Sequence, residues 1–135
     1  MTHAEHTAAI IEAFNAADWD RSRELTAGAV YFEPATGRTL EGDAYLEALR
    51  GWKAAFSDVT GEIVGQVQNG DVAVLEIVWT GTHDGPFVTP GGELAPTGNA
   101  LTNPATMVAH FEGDRLVRVN HYFDMLTVLR GVGAA

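Results

Sequence analysis

The sequence predicts an α+β domain in which N-terminal helices pack against a curved, mixed or largely antiparallel sheet. Three observations carry this reading. Helical periodicity is confined to the stretch before Ser57, side chains alternate with a period of two from Val59 onward, and the strand-like runs follow one another directly instead of alternating with helices. With 135 residues, 46% hydrophobic and 19% charged, the chain fits one packed domain spanning 1–135.

Ala9, Ile10, Phe14 and Ala17 recur at helical spacing, and Asp18-Trp19-Asp20 offers a break with a capping carboxylate for a short second helix through Leu25. Val30-Tyr31-Phe32 is a β-prone run stopped by Pro34 and Gly37, which suits a short edge strand or an ordered loop. Gly42-Asp43 opens a third helix whose Tyr45, Leu49, Trp52 and Phe56 form one apolar stripe to lay on a sheet.

After Ser57-Asp58, a strand from Val59 to Gln68, a turn at Asn69-Gly70 and a strand from Asp71 to His83 read as a hairpin. Neither face of the second strand is clearly polar, so both are expected to be covered, one by helices and one by a second copy of the chain. The outer sheet face is therefore the expected homodimer interface. Glu76 in this strand faces either solvent or a buried partner. Asp84 to Gly98, rich in Gly and Pro, reads as a long mobile loop, either a lid or plain surface. Asn99 to Glu112 and Arg115 to Asp124 flank a turn at Gly113-Asp114, and a short apolar tail, Met125 to Leu129, closes the chain.

A formal charge of -10, from 8 Lys+Arg against 18 Asp+Glu, repels phosphate backbones and anionic headgroups, so neither nucleic acid nor membrane is an expected partner. Cysteine is absent, which excludes disulfides, thiol catalysis and thiolate metal sites. Met1 to Asn15 lacks a basic n-region and an apolar h-region, and a cytoplasmic protein is expected. His3, Glu5 and His6 sit on a terminal segment far from the other histidines, so no metal site is expected.

Phosphate-binding glycine loops, dinucleotide fingerprints, His-Glu-x-x-His and Gly-x-Ser-x-Gly elbows are all missing, leaving acid/base work by histidine and carboxylate in a pocket, without a cofactor. Asp124 ends the apolar, aromatic run Asn120-His121-Tyr122-Phe123, where partial desolvation is expected to raise its pKa; the alternative is a cap for the tail helix. His121 alternates with Phe123 and Val119, and simple pairing about Gly113-Asp114 puts His110 and Val108 on the same face. That face either lines the cavity or forms an interface. His83, at a strand end beside the long loop, either gates entry or hydrogen-bonds its own loop. Phe14, Tyr31, Trp52, Phe56, Trp79, Met107, Asn120 and Tyr122 are expected to hold a small-molecule substrate, with plain core as the alternative for Trp52, Phe56 and Trp79.

The stretches Ala13-Phe14-Asn15-Ala16-Ala17-Asp18-Trp19-Asp20, Glu41-Gly42, Trp52 to Asp58, Trp79 to Pro86, Pro96-Thr97-Gly98 and Tyr122-Phe123-Asp124 together resemble the SnoaL-like polyketide cyclases of the nuclear transport factor two-like superfamily. The resemblance implies a cone-shaped α+β barrel, usually dimeric through the outer sheet face, with a deep pocket and cofactor-free chemistry. It also implies a pocket carboxylate that moves a proton during intramolecular ring closure, best matched by Asp124.

The leading expectation is an acid/base enzyme on a hydrophobic, oxygenated small molecule, most like a polyketide or ester cyclase. In it Asp124 transfers the proton, His121 or His110 orients or shares it, and His83 with the following loop gates entry. The competing expectation is a noncatalytic binding or assembly module of the same fold. Isomerases, dehydratases and epoxide hydrolases of the superfamily stand behind these; the last needs paired acids about an arginine, for which Arg118 has no clear partners.

Overall fold

In the computed structural model, which describes residues 1–135, the first helix, α1 (His3–Asn15), begins with a capping box. The Thr2 hydroxyl accepts from the Glu5 backbone N–H while the Glu5 carboxylate accepts from Thr2 N–H. Asp18 caps α2 (Trp19–Thr26) through Arg21 N–H. The edge run is a true strand, β1 (Val30–Glu33), folded back through a turn onto β2 (Arg38–Glu41). That second strand was not expected, because Arg38-Thr39-Leu40-Glu41 carries little β-forming signal of its own and is held by pairing with β1.

Gly42 adopts φ 59 immediately before α3 (Asp43–Ala55), a left-handed backbone that lets the chain turn sharply from strand into helix. Next come β3 (Thr60–Asn69) and β4 (Val72–Thr82). Asn69 pairs with Val72, so the turn is Gly70-Asp71 and not Asn69-Gly70. Glycine with φ 58 takes the first central position, which suits the twist of the flanking strands.

The segment read as a long loop contains a small hairpin, β5 (Phe87–Thr89) and β6 (Gly92–Leu94), whose Phe87 packs against Trp52 and Phe56. Its base is fastened to the end of α3: the Asp84 and Gly85 N–H groups donate to Ala55 O, and the Asp84 carboxylate accepts from the Ser57 N–H and hydroxyl. Thereafter β7 (Ala100–Glu112), β8 (Arg115–Phe123) and α4 (Met125–Gly131) complete the chain.

The main sheet has the order β2-β1-β8-β7-β4-β3, antiparallel throughout except for the parallel β1–β8 pair. Bulges at Val64 and Val117 bend it. Ile10, Ile11, Tyr31, Tyr45, Leu75, Ile77, Met107 and Val119 meet in the core between its inner face and the helices. On the opposite face Val74, Val78 and Val108 are half-buried, Val67 and Tyr122 are exposed, and Glu76 points to solvent. No helix is long and apolar enough to cross a membrane.

A Cβ built on Gly85 would lie 1.9 Å from Ala54 O, a clash with backbone that no rotamer relieves. Gly85→Ala is therefore expected to cost roughly 2 kcal/mol, read as a lower midpoint in urea denaturation.

Candidate active site

The inner surfaces of β1, β4, β7 and β8, together with α1, α3 and α4, line a partly open cavity of about 80 Å³. Six of the expected ligand-holding residues line it: Phe14, Tyr31, Trp52, Phe56, Trp79 and Met107. Ile10, Ile11, Tyr45, Leu49, Val59, Leu101, Asn103, Phe123 and Val128 complete an almost wholly apolar wall together with His121. Asn103 Nδ2 donates to Asp124 O and its Oδ1 accepts from Asp124 N–H, pinning β7 to the end of β8.

A single extra residue decides which histidine reaches this cavity. Phe111 pairs with Leu116 but His110 pairs with Arg118, leaving Val117 as a bulge in β8. Beyond the bulge Met107 stands opposite His121 and Val108 opposite Asn120. Simple hairpin counting puts His110 on the face of His121; the bulge shifts the pairing by one, and a one-residue slip reverses the faces. His110 thus lies on the outer face with Arg118 and Asn120. Asn120 is occupied there, its Oδ1 accepting from Arg118 Nε at 2.7 Å, and Tyr122 is 44% exposed on the same side. Neither lines the cavity.

His83 is fully buried but also lies outside the cavity wall. Its Nδ1 accepts from Thr97 N–H at 3.1 Å, and Thr97 Oγ1 in turn donates to Gly131 O, so this ring ties the two ends of the hairpin segment to α4. Asp124 is exposed and caps α4, its carboxylate accepting from Leu126 N–H at 3.1 Å and from the Thr127 hydroxyl at 2.6 Å. Chiefly the Thr127 hydrogen bond holds its pKa below the usual carboxylate value, the reverse of the desolvated acid that the neighbouring aromatic run suggested.

His121 joins the cavity wall to a chain of hydrogen-bonded polar side chains. Trp79 Nε1–H donates to its Nε2 at 3.2 Å, and its Nδ1 lies 2.8 Å from the Tyr31 hydroxyl. Tyr31 Oη–H donates to Glu33 Oε2 at 2.7 Å, while Glu33 Oε1 accepts from Arg38 Nε at 2.9 Å and from the Thr36 hydroxyl at 2.8 Å. Burial pushes the His121 pKa down to about 4, against an opposing pull from the Glu33 charge, and the ring is neutral at physiological pH. Burial first, and Glu33 second, push the Tyr31 and Tyr45 phenols up.

Glu33 escaped the sequence reading. It sits at the end of a short β-prone run, before Pro34, and nothing local distinguishes it from a surface carboxylate. The available signal was alternation: Tyr31 and Glu33 share a parity, so a buried Tyr31 carries Glu33 inward with it. Tyr45, in the apolar stripe of α3, has a hydroxyl buried without a hydrogen-bond partner and a ring stacked on Tyr31 at 4.5 Å.

The family model for SnoaL-like polyketide cyclases matches residues 4–132. Among solved structures, wild-type IdmH from Streptomyces antibioticus, a candidate polyketide cyclase, is 28% identical with a TM-score of 0.78, covering 96% of each chain. A candidate polyketide cyclase from Acidithiobacillus ferrooxidans is 26% identical with a TM-score of 0.73 over 100% of both chains. A Catenulispora acidiphila protein with a ketosteroid isomerase-like fold, solved with trimethylamine, is 20% identical at a TM-score of 0.79 over 99% of this chain and 96% of its own. No curated protein matches in sequence.

The depressed His121 pKa has a consequence for stability. Unfolding lets the ring recover its ordinary value of 6.5, so the unfolded chain binds a proton that the folded one refuses as pH falls from 6.5 to about 4. Stability from this source is complete above 6.5 and lost on the way down, on the order of 3 kcal/mol in all. Urea denaturation across that range should show a shallower loss in His121→Gln than in the parent; parallel curves would show that the ring is not held neutral.

Proposed function

Because the chain belongs to the SnoaL-like polyketide cyclase family, we propose that it is an acid/base catalyst of the cyclase or isomerase kind, acting without a cofactor on a hydrophobic, oxygenated small molecule. The observation that supports this most is a neutral imidazole, His121, set in the wall of a largely apolar cavity. Low polarity excludes competing water and strengthens every interaction with developing charge. Phe14, Trp52, Phe56, Trp79 and Phe123 hold the carbon skeleton, and an acidic C–H meets His121 Nε2. The Trp79 N–H that reaches Nε2 at 3.2 Å is long and easily displaced; once freed, it donates to the substrate oxygen.

Asp124 has no part in this scheme beyond the cap of α4, and His83 holds the hairpin segment in place. A chain that only binds its ligand is the competing reading, favoured by the engagement of both His121 nitrogens within the protein.

Deuterium exchange at the benzylic carbon acid of 2-tetralone, followed by NMR, separates these. The parent protein should accelerate exchange, His121→Gln should lose roughly 100-fold, and Asp124→Asn should match the parent. Saturable binding with no acceleration would establish a binding module. The chain further pairs through its outer sheet face, around Val74, Val78 and Val108, since that apolar surface has no cover of its own. Sedimentation equilibrium should give a dimer that Val108→Glu dissociates; a monomer at all concentrations would overturn the pairing.

A further inference from the structure

We infer that Glu33 is a positioning residue for His121, acting through Tyr31 as the far end of a proton relay from the cavity to the sheet edge. The inference rests on the reading of His121 as the proton-transfer group. By itself an imidazole held so far toward its neutral form is a weak base, and the hydrogen-bonded chain behind it supplies what the ring lacks.

Every link in that chain has a direction. An indole N–H donates and cannot accept, so His121 Nε2 is an acceptor and the ring proton of the neutral form sits on Nδ1. Nδ1–H therefore donates to Tyr31 Oη, whose own proton is directed at Glu33 Oε2. Glu33 Oε1 is already occupied by Arg38 and Thr36, so Oε2 is the oxygen that serves Tyr31. Around the ring, β1 contributes Tyr31 and Glu33, β2 contributes Arg38 and α3 contributes Tyr45, while Trp79, Met107 and Phe123 bring no charge. A fully buried glutamate is costly to hold in a sheet unless its charge is compensated, and here the half-exposed Arg38 compensates it from the edge.

The step balances within this set. A substrate C–H bond breaks and leaves its electron pair as an enolate; a bond forms from that hydrogen to Nε2; the Nδ1 proton passes to Tyr31 Oη; and the Tyr31 proton passes to Glu33 Oε2. Negative charge moves from Glu33 to the substrate oxygen, and no imidazolium accumulates in a site that disfavours one. Reversal returns the proton to the product.

The test uses Glu33→Gln, which keeps size and a hydrogen-bond acceptor for Tyr31 but cannot take up the proton. With 2-tetralone, kcat for exchange should fall about 10-fold or more with KM unchanged, and imidazole nitrogen NMR at neutral pH should still show the Nδ1–H tautomer. Tyr31→Phe cuts the relay at its middle and should lower kcat similarly, and it carries the test if Glu33→Gln does not fold. Glu33→Gln with the parent rate would overturn the relay while leaving His121 as the base. A raised KM with a changed tautomer would also overturn it, reducing Glu33 to a structural support. If the parent itself fails to accelerate exchange, the failure belongs to the enzymatic reading, and the Nε2–H tautomer in the parent would sink the relay independently.

Discussion

Most of what distinguishes this site depends on one constraint, the register between β7 and β8. Because side chains alternate along a strand, the extra residue at Val117 determines which residues beyond it face inward. It sends His121, Val119 and Phe123 toward the helices and leaves Arg118, Asn120 and Tyr122 on the outer surface. Without it His121 would leave the cavity wall.

The second determinant is the handling of charge where water is scarce. A carboxylate at the core boundary is tolerated because Arg38, Thr36 and Tyr31 together satisfy its oxygens. That negative charge favours a protonated His121, but desolvation outweighs it and the ring stays neutral. The two effects are opposed in sign. Polar groups in the wall are few: His121 and Tyr31 belong to this chain of hydrogen bonds, Tyr45 keeps an unpartnered hydroxyl, and Asn103 bonds the backbone of Asp124.

Membership of the SnoaL-like family carries the fold, and the arrangement of polar groups is read from this chain's own residues. An acid at the end of the last strand invites a catalytic role by analogy. Here it accepts hydrogen bonds from the first turn of α4 and lies in solvent, so the analogy and the local physics part company. The buried histidine three residues earlier takes the position facing the cavity.

Legible in the chain before folding were the elements with strong local signals: the apolar stripe of α3, the two long hairpins, the caps at Asp18 and Asp124, and six of the aromatic or sulfur-bearing residues around the cavity. These depend on periodicity, turn chemistry and hydrophobicity, which neighbours along the sequence supply. Folding alone decided the rest. The bulge at Val117, the pairing that makes β2 a strand, the hairpin packed through Phe87 and the convergence of Glu33, Tyr31, His121 and Trp79 arise from contacts between segments far apart in sequence. A carboxylate beside a proline reads the same whether it meets water or a buried tyrosine, because its surroundings are set by strands that no local pattern specifies.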